Sequence, residues 1–231
     1  QRQMCIRDSI STYQTDKYWI AEGSKGLRSI QRKGSNSFEA LNEPIILDGP
    51  YSNSAFDIVC KNDKVYMIIG GKDLLNGKRF DKGGYILTYD YDKWSFIDPK
   101  EAQKKLNLPR NPRDYTSIAV TTDDSNDEIV YASSMGDGVI QYKNGTPVQS
   151  YNEKNAFKET AGGYGSGYCY IDGLAFDKNG NLWMTSSEVN HAVLVLDKAG
   201  AWHRLDIEQL RGVYTCLLYT SPSPRDRSLS R

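Results

Sequence analysis

Four short apolar segments recur along the chain, and each has an aromatic residue at its centre. The central residues are Trp19, Tyr66, Tyr131 and Trp183, which lie 47, 65 and 52 residues apart. Each segment begins a run rich in apolar, β-branched and aromatic residues, the composition of a strand buried on both faces. The recurrence predicts four copies of one β-rich unit, with the aromatic residue at the matching position of the second strand in each copy.

Each unit divides into four predicted strands separated by turn signals. In the last unit the pair Asn179-Gly180 favours a tight hairpin, because both residues tolerate positive φ. The same division fits residues 10–43, 54–98, 115–152 and 169–208. Four-stranded repeats at this spacing are typical of propeller blades. The predicted fold class is all-β: a partial β-propeller of about four consecutive four-stranded antiparallel blades, open rather than closed, in which the four aromatic residues fill the spaces between sheets.

One insertion between the second and third units has a helical pattern. Asp98 is suited to an N-cap, Pro99 to the first helical position, and Glu101 to the third position after the cap. Pro109 and Pro112 then stop a helix. We expect a short helix within residues 99–108 that serves as a packed connector, with a partner contact as the alternative.

The two ends of the chain are related to each other at the level of DNA. Residues 4–9 back-translate as ATG TGT ATA AGA GAC AG, and the reverse complement of that string, read in a shifted frame, encodes residues 216–220 (CLLYT). Both ends resemble the mosaic end of a transposase-based sequencing adapter. We therefore expect residues 1–9 and 216–231 to be adapter-derived tails with few long-range contacts, and residues 10–215 to be the protein proper.

Excluding the two tails changes the charge balance. Lys plus Arg falls from 29 to 24 and Asp plus Glu from 29 to 27, which leaves a net charge of −3. No basic excess remains to favour a nucleic-acid partner. Cys60 and Cys169 are the remaining cysteines, too few for a disulfide framework or a metal motif. No apolar run is long enough to cross a membrane.

A search for catalytic and metal-binding residues gives few candidates. His191 and His203 have no second ligand at metal spacing, and a solvated surface position is the preferred interpretation of both. The segment 177–181 has some features of a calcium loop but is better explained as a hairpin, and the acidic run 123–128 is better explained as a solvated turn than as a cation site. With no catalytic grouping visible, we expect no cofactor, no metal and no enzymatic activity.

The glycine-rich segment 162–168 is the main candidate for a contact region. It lacks the Lys-Ser/Thr ending of a phosphate-binding loop and precedes a strand, so a flexible connector is the simplest interpretation. Tyr164, Tyr168 and Tyr170 lie in or beside it. Tyrosine offers a flat apolar face with a polar tip, which suits contacts with sugar or protein. We assign these three tyrosines as candidate ligand-binding residues.

Four stretches of the chain resemble one known family. They are residues 18–27 (YWIAEGSKGL), 131–139 (YASSMGDGV), 151–155 (YNEKN) and 173–185 (GLAFDKNGNLWMT). Together they are similar to the PorZ-like surface β-propeller proteins of the Bacteroidetes type IX secretion system. The GNLW block is shared with sensor propellers. The serine–glycine pattern at residues 133–138, followed by YNE at 151–153 and then by the last stretch, is more specific to this family.

The resemblance implies a location and a set of partners. Members of that family have two seven-bladed propellers and a C-terminal domain, lie outside the outer membrane with a sortase-like partner, and present an anionic lipopolysaccharide to which secreted cargo is attached. The chain would then belong to one propeller of a non-enzymatic binding and assembly module at the cell surface or in the periplasm. The alternatives are the periplasmic sensor propeller of a hybrid two-component regulator and, third, a propeller hydrolase or lyase, which would need clustered carboxylates or histidines at the central channel.

Overall fold

The structure is a computed structural model that describes residues 10–14, 16–21, 27–43, 45, 49–52, 54–73, 77–157 and 168–211. The predicted tails 1–9 and 216–231 lie outside these residues. The chain divides into two compact units, Gln1–Gly49 and Pro50–Arg231.

The first unit contains one antiparallel sheet. Its strands pair in sequence order, and Trp19 lies half-buried on the second strand. The strands are β1 (Ile10–Gln14), β2 (Lys17–Ala21), β3 (Leu27–Arg32) and β4 (Phe38–Ala40).

The second unit contains three groups of four consecutive antiparallel strands, here called the second, third and fourth strand groups. The second group comprises β5 (Ala55–Lys61), β6 (Lys64–Ile69), β7 (Ile86–Asp90) and β8 (Lys93–Ile97). The third comprises β9 (Tyr115–Thr122), β10 (Glu128–Gly136), β11 (Gly138–Lys143) and β12 (Thr146–Tyr151). The fourth comprises β13 (Cys169–Phe176), β14 (Leu182–Ser186), β15 (Val193–Leu196) and β16 (Trp202–Leu205), followed by a 3₁₀ turn at Glu208–Leu210.

The predicted all-β class with antiparallel sheets is confirmed, but the division into separate blades needs correction for the last two groups. Strand β10 extends to Gly136, and its last residues pair with β13, Met135 opposite Tyr170 and Gly136 opposite Cys169. The third and fourth groups therefore form one continuous eight-stranded sheet. Strand β10 stays buried from Ile129 to Gly136, including the two serines Ser133 and Ser134, and its end reaches the neighbouring group.

One helix, α1 (Pro99–Leu106), connects the second group to the third. The backbone N–H of Lys100 donates to Asp98 Oδ1 (2.9 Å), which satisfies one of the free donors at the helix N-terminus. Asn107 closes the other end in the left-handed conformation with a φ of 50°. Ala102 is fully buried in the core beside the third group, and α1 packs against β12.

Two hydrophobic cores of the second unit lie between neighbouring strand groups. Strand β10 contributes to both, because alternate residues of a strand point to opposite faces. Val130 and Ala132 join the core shared with the second group, whereas Ile129 and Tyr131 join the core shared with the fourth. This burial on both faces explains the uninterrupted apolar run that the sequence shows at β10.

A chain of hydrogen bonds joins the first strands of the three groups. Asp57 on β5 accepts from the Ser117 hydroxyl (3.0 Å) and from the Ile118 backbone N–H (3.1 Å) on β9. The Ser117 hydroxyl oxygen in turn accepts from the Leu174 backbone N–H on β13 (3.2 Å). Polar groups at these positions are thus satisfied between neighbouring groups rather than by solvent. No helix among the described residues is long and apolar enough to cross a membrane.

Candidate functional site

A cleft of about 380 Å³ opens beside the turn between β10 and β11. Its walls come from the segment after α1, from that turn, from the end of β12 and from the residue before β13. Its lining residues are Leu108, Pro109, Arg110, Gly136, Asp137, Ser150, Asn152, Glu153, Lys154 and Tyr168. The cleft therefore combines one aromatic wall with amide, hydroxyl and charged side chains, a composition suited to holding a polar ligand.

Two glycines in the turn allow this cleft to form. Gly136 has a φ of +128°, and a methyl group there would lie 2.7 Å from Tyr168 Cε2. Gly138 has a φ of +78°, and a methyl group there would lie 2.1 Å from the Tyr151 carbonyl oxygen. Both positions need a residue without Cβ, for conformation and for space. The serine–glycine pattern at residues 133–138 thus has a physical reason: it lets Tyr168 and β12 approach the turn.

Asp137 holds Arg110 at the mouth of the cleft. Its Oδ1 accepts from Arg110 Nε (2.8 Å) and lies 2.7 Å from the guanidinium NH2 nitrogen. Its Oδ2 accepts from the Arg113 backbone N–H (3.2 Å) and the Ser134 hydroxyl (3.4 Å). The Asp137 side chain is 15% exposed and that of Arg110 is 49% exposed. The carboxylate is therefore committed to orienting the guanidinium, which itself remains accessible to a ligand.

A second polar cluster is buried and joins the second group to the fourth. Lys72, in the connection after β6, forms an ion pair and hydrogen bond with Asp172 on β13, and both side chains are almost completely buried. Ser187 donates its hydroxyl to the same carboxylate. Burial raises the pKa of Asp172, although Lys72 and Ser187 act in the opposite direction. The Lys72 ammonium also lies 4.8 Å from the centre of the Tyr170 ring.

The three predicted ligand-binding tyrosines have different positions. Tyr164 lies outside the described residues, as does most of the segment 162–168. Tyr168 forms a wall of the cleft, with 9% of its surface exposed. The assignment of Tyr170 needs correction, because its side chain is fully buried and its ring packs against Tyr168 and under Lys72. Its ring therefore offers no face to a ligand.

The acidic turns considered as cation sites use their carboxylates in local hydrogen bonds. Asp177 accepts from the backbone N–H groups of Asn179 and Asn181 and from Trp183 Nε1 (3.0 Å), and these bonds lower its pKa to about 2. In the run 123–128, Asp123 and Asp127 each lie 2.8 Å from Lys143 Nζ. Among the described residues, no three His, Cys, Asp or Glu side chains are grouped as a metal site would require.

Both histidines lie on the fourth group or beside it. His203 Nε2 on β16 lies 2.8 Å from Asp197 Oδ2, and its side chain is 55% exposed. His191 lies in the connection between β14 and β15 and is partly buried. His203 is therefore exposed, whereas His191 is partly buried and not the solvated residue that the sequence predicts.

Sequence reasoning did not find Arg110, Lys72 or Asp172. Asp137 belongs to the serine–glycine stretch that carries the family resemblance, and the predicted ligand-binding residue Tyr168 lines the same cleft. Lys72 and Asp172 are 100 residues apart in the chain. No local pattern predicts their pairing, which depends on how the strand groups pack.

No protein-family model matches the chain, and no curated protein matches it. Among solved structures, the chain is similar to PorZ from Porphyromonas gingivalis, an essential bacterial surface component of the type IX secretion system. The match has a TM-score of 0.63 and 21% identity, and it covers 89% of this chain and 26% of that protein. The chain thus spans about a quarter of the length of PorZ. At this identity the likeness shows the fold alone: an all-β fold of the propeller kind.

Two further structures match less closely. An α-L-arabinofuranosidase from Clostridium thermocellum has a TM-score of 0.32 and 16% identity, over 87% of this chain and 72% of the enzyme. The extracellular domain of a putative hybrid two-component system from B. thetaiotaomicron has a TM-score of 0.27 and 11% identity, over 88% of this chain and 33% of that chain. The prediction that the chain is not an enzyme is contradicted, because glycoside hydrolases are among the solved structures that match it.

Proposed function

We propose that the chain is part of a surface β-propeller that acts as a binding and assembly module of a type IX secretion system. Its four strand groups would be consecutive blades, and its role would be to help attach secreted cargo to cell-surface lipopolysaccharide. The observation that carries the proposal is the similarity in fold to PorZ over 89% of the chain. The four stretches that resemble PorZ-like proteins add support from the sequence.

The cleft beside the β10–β11 turn supports the proposal, because it is built by the residues that carry the more specific part of the resemblance. Arg110 is held in place by Asp137 yet half exposed, and Tyr168 forms the adjoining wall. A preorganised guanidinium is suited to carboxylate or phosphate groups and loses little entropy on binding. We therefore assign the cleft as a contact surface for a partner or a polysaccharide of the attachment machinery.

The test is deletion of the parent gene in its host, followed by complementation. The strain receives the wild-type gene, Arg110→Ala, or Arg211→Ala as a matched control. Arg211 also pairs with an aspartate, Asp206, and its side chain is 47% exposed, but it does not line the cleft. Surface attachment of secreted cargo is measured by fractionation and by protease treatment of whole cells.

We expect the deletion to abolish surface attachment of cargo and the wild-type gene to restore it. Arg110→Ala should restore attachment poorly, and Arg211→Ala fully. If attachment persists in the deletion strain and only the transcription of polysaccharide-utilisation genes changes, the parent is a sensor and the proposal is wrong. Equal restoration by both arginine variants would remove the cleft from the proposal but leave the secretion role in place.

A further inference from the structure

The turn between β13 and β14 contains Asn179 and Gly180, which are both exposed to solvent. The backbone N–H of Asn179 donates to Asp177 Oδ1 (2.8 Å). Within the described part of the chain, the Asn179 side-chain amide itself has no hydrogen-bond partner. Gly180 has a φ of +84° and carries no side chain. Its backbone N–H donates to the Asp177 carbonyl oxygen (3.1 Å), which is the one hydrogen bond of this turn that must open before the nitrogen can attack the amide carbon of Asn179.

The turn between β11 and β12 provides a matched comparison within the same chain. It contains Asn144 and Gly145, and both turns have the local sequence Lys-Asn-Gly. Here the side chain is held at both ends: Asn144 Oδ1 accepts from the Glu128 backbone N–H (2.9 Å), and Nδ2 donates to Asp127 Oδ1 (2.7 Å). The two sites share their covalent chemistry and differ in restraint: two hydrogen bonds hold the Asn144 side chain, whereas at the other turn the Asn179 side chain is unrestrained by any described residue and one backbone hydrogen bond holds the Gly180 nitrogen.

We propose that Asn179 is a site of spontaneous deamidation in the folded protein and that Asn144 is protected. The deprotonated backbone nitrogen of Gly180 attacks Asn179 Cγ, the new C–N bond closes a succinimide, and the side-chain nitrogen leaves as ammonia. Water then opens the ring at either carbonyl to give aspartate or isoaspartate. The net reaction consumes one water and releases one ammonia, and no oxidant or reductant is needed.

The new carboxylate would lie beside a contact between two strand groups. A methyl group at Gly180 would lie 3.9 Å from Lys198 Cδ, so the turn packs against this lysine. Lys198 Nζ lies 2.9 Å from Asp124 Oδ1 on the third group. Asn179, Lys198 and Asp124 all line a groove of about 580 Å³ between the third and fourth groups. Deamidation therefore places an additional negative charge at this groove as the protein ages.

The test is peptide mapping of the full chain after incubation in mildly alkaline buffer, with detection of aspartate and isoaspartate in each peptide. Conversion at Asn179 should be about tenfold faster than at Asn144, because attack at Asn179 requires only the Gly180 turn hydrogen bond to open, whereas Asn144 must first break two side-chain hydrogen bonds. Asn76-Gly77 is a third such pair in a separate peptide, and Asn76 lies outside the described residues. Equal rates at Asn144 and Asn179, or faster conversion at Asn144, would overturn the proposal.

Two further measurements isolate the cause. Asp127→Ala removes the acceptor of the Asn144 amide and should accelerate conversion at Asn144 severalfold while leaving Asn179 unchanged, in a variant whose fold is checked by circular dichroism. In concentrated urea the rates at the two sites should converge, because the local sequences are the same. A difference that persists in urea, or an Asn144 rate that Asp127→Ala leaves unaltered, would show that restraint by the fold is not the cause.

Discussion

The buried ion pair between Lys72 and Asp172 gives the sharpest prediction about stability. The two side chains are 7% and 5% exposed and belong to strand groups that are distant in the chain. Replacing Lys72 by methionine keeps the length of the side chain and removes its charge. Asp172 then stays buried with the Ser187 hydroxyl as its remaining donor among these contacts.

The expected cost follows from leaving one buried charge without its partner. Breaking a buried pair on one side costs about 3–5 kcal/mol, much more than the pair contributes relative to an apolar replacement. Lys72→Met should therefore lower the free energy of unfolding by about 3–5 kcal/mol at neutral pH. The double variant Lys72→Met, Asp172→Leu should recover much of this loss, because it removes the uncompensated carboxylate.

The pH dependence provides an independent check. Burial already raises the pKa of Asp172, and Lys72 counteracts that rise. Removing Lys72 raises the pKa further above its value in the unfolded chain. For a group whose pKa is raised on folding, stability is retained at low pH and lost as pH rises through the folded-state value. The defect of Lys72→Met should therefore be smallest in acid and largest at neutral pH.

The assay is urea unfolding of the full chain, followed by tryptophan fluorescence and circular dichroism. The control is Lys198→Met, which breaks the exposed pair with Asp124 and should have little effect, because exposed pairs contribute little. The reasoning is refuted if Lys72→Met and Lys198→Met are equally mild. It is also refuted if the defect of Lys72→Met grows as the pH falls.

Three further predictions concern the repeat aromatic residues, the cleft and an acidic turn. Tyr131→Ala should lower the free energy of unfolding in urea by about 3–5 kcal/mol, because the ring is buried in a core. Trp183→Ala should lower it clearly less, because Trp183 is 39% exposed. Equal losses for the two variants would contradict this packing. Gly136→Ala should lower the free energy of unfolding by about 1–3 kcal/mol, because the position has a positive φ. It should also displace the ring of Tyr168 and so change the near-ultraviolet circular dichroism spectrum. An unchanged spectrum and an unchanged stability would contradict this. Hydrogen bonds lower the pKa of Asp177 to about 2. Its contribution to stability is therefore present above the pKa of an unfolded aspartate and is lost as pH falls through about 2. If NMR shows that this carboxyl titrates near the usual aspartate value, the prediction is wrong.

Local signals in the sequence predicted those parts of the fold that depend on local chemistry. The pattern around Asp98 and Pro99 corresponds to the helix Pro99–Leu106, and Asn179-Gly180 corresponds to the turn between β13 and β14. The central aromatics lie on β2, β6, β10 and β14, in keeping with the preference of aromatic residues for strands. In each case the residues that form the sequence pattern also form the predicted helix, turn or strand.

The candidate site was less predictable, because it depends on contacts between strand groups. The tyrosines near the glycine-rich segment were chosen by residue type, yet Tyr170 turns inward and Tyr168 faces a cleft built by other segments. Arg110 follows a helix and a proline, where a charged residue usually signals only solvent exposure. Its role depends on Asp137, 27 residues later, and the pairing is visible only once the β10–β11 turn lies beside that segment.

The repeat aromatic residues show which features the sequence predicts and which features depend on packing between strand groups. Tyr66 and Tyr131 are 2% and 9% exposed, because each points into the core between its own strand group and the next one. Trp183 occupies the matching position on β14, but it lies on the face of the fourth group that points away from the third and is 39% exposed. Its indole N–H donates to Asp177 of the same group, so its polar contact is local. The repeat therefore specifies where an aromatic ring stands on a strand, whereas its burial and its contribution to stability are set by the neighbouring group that covers it.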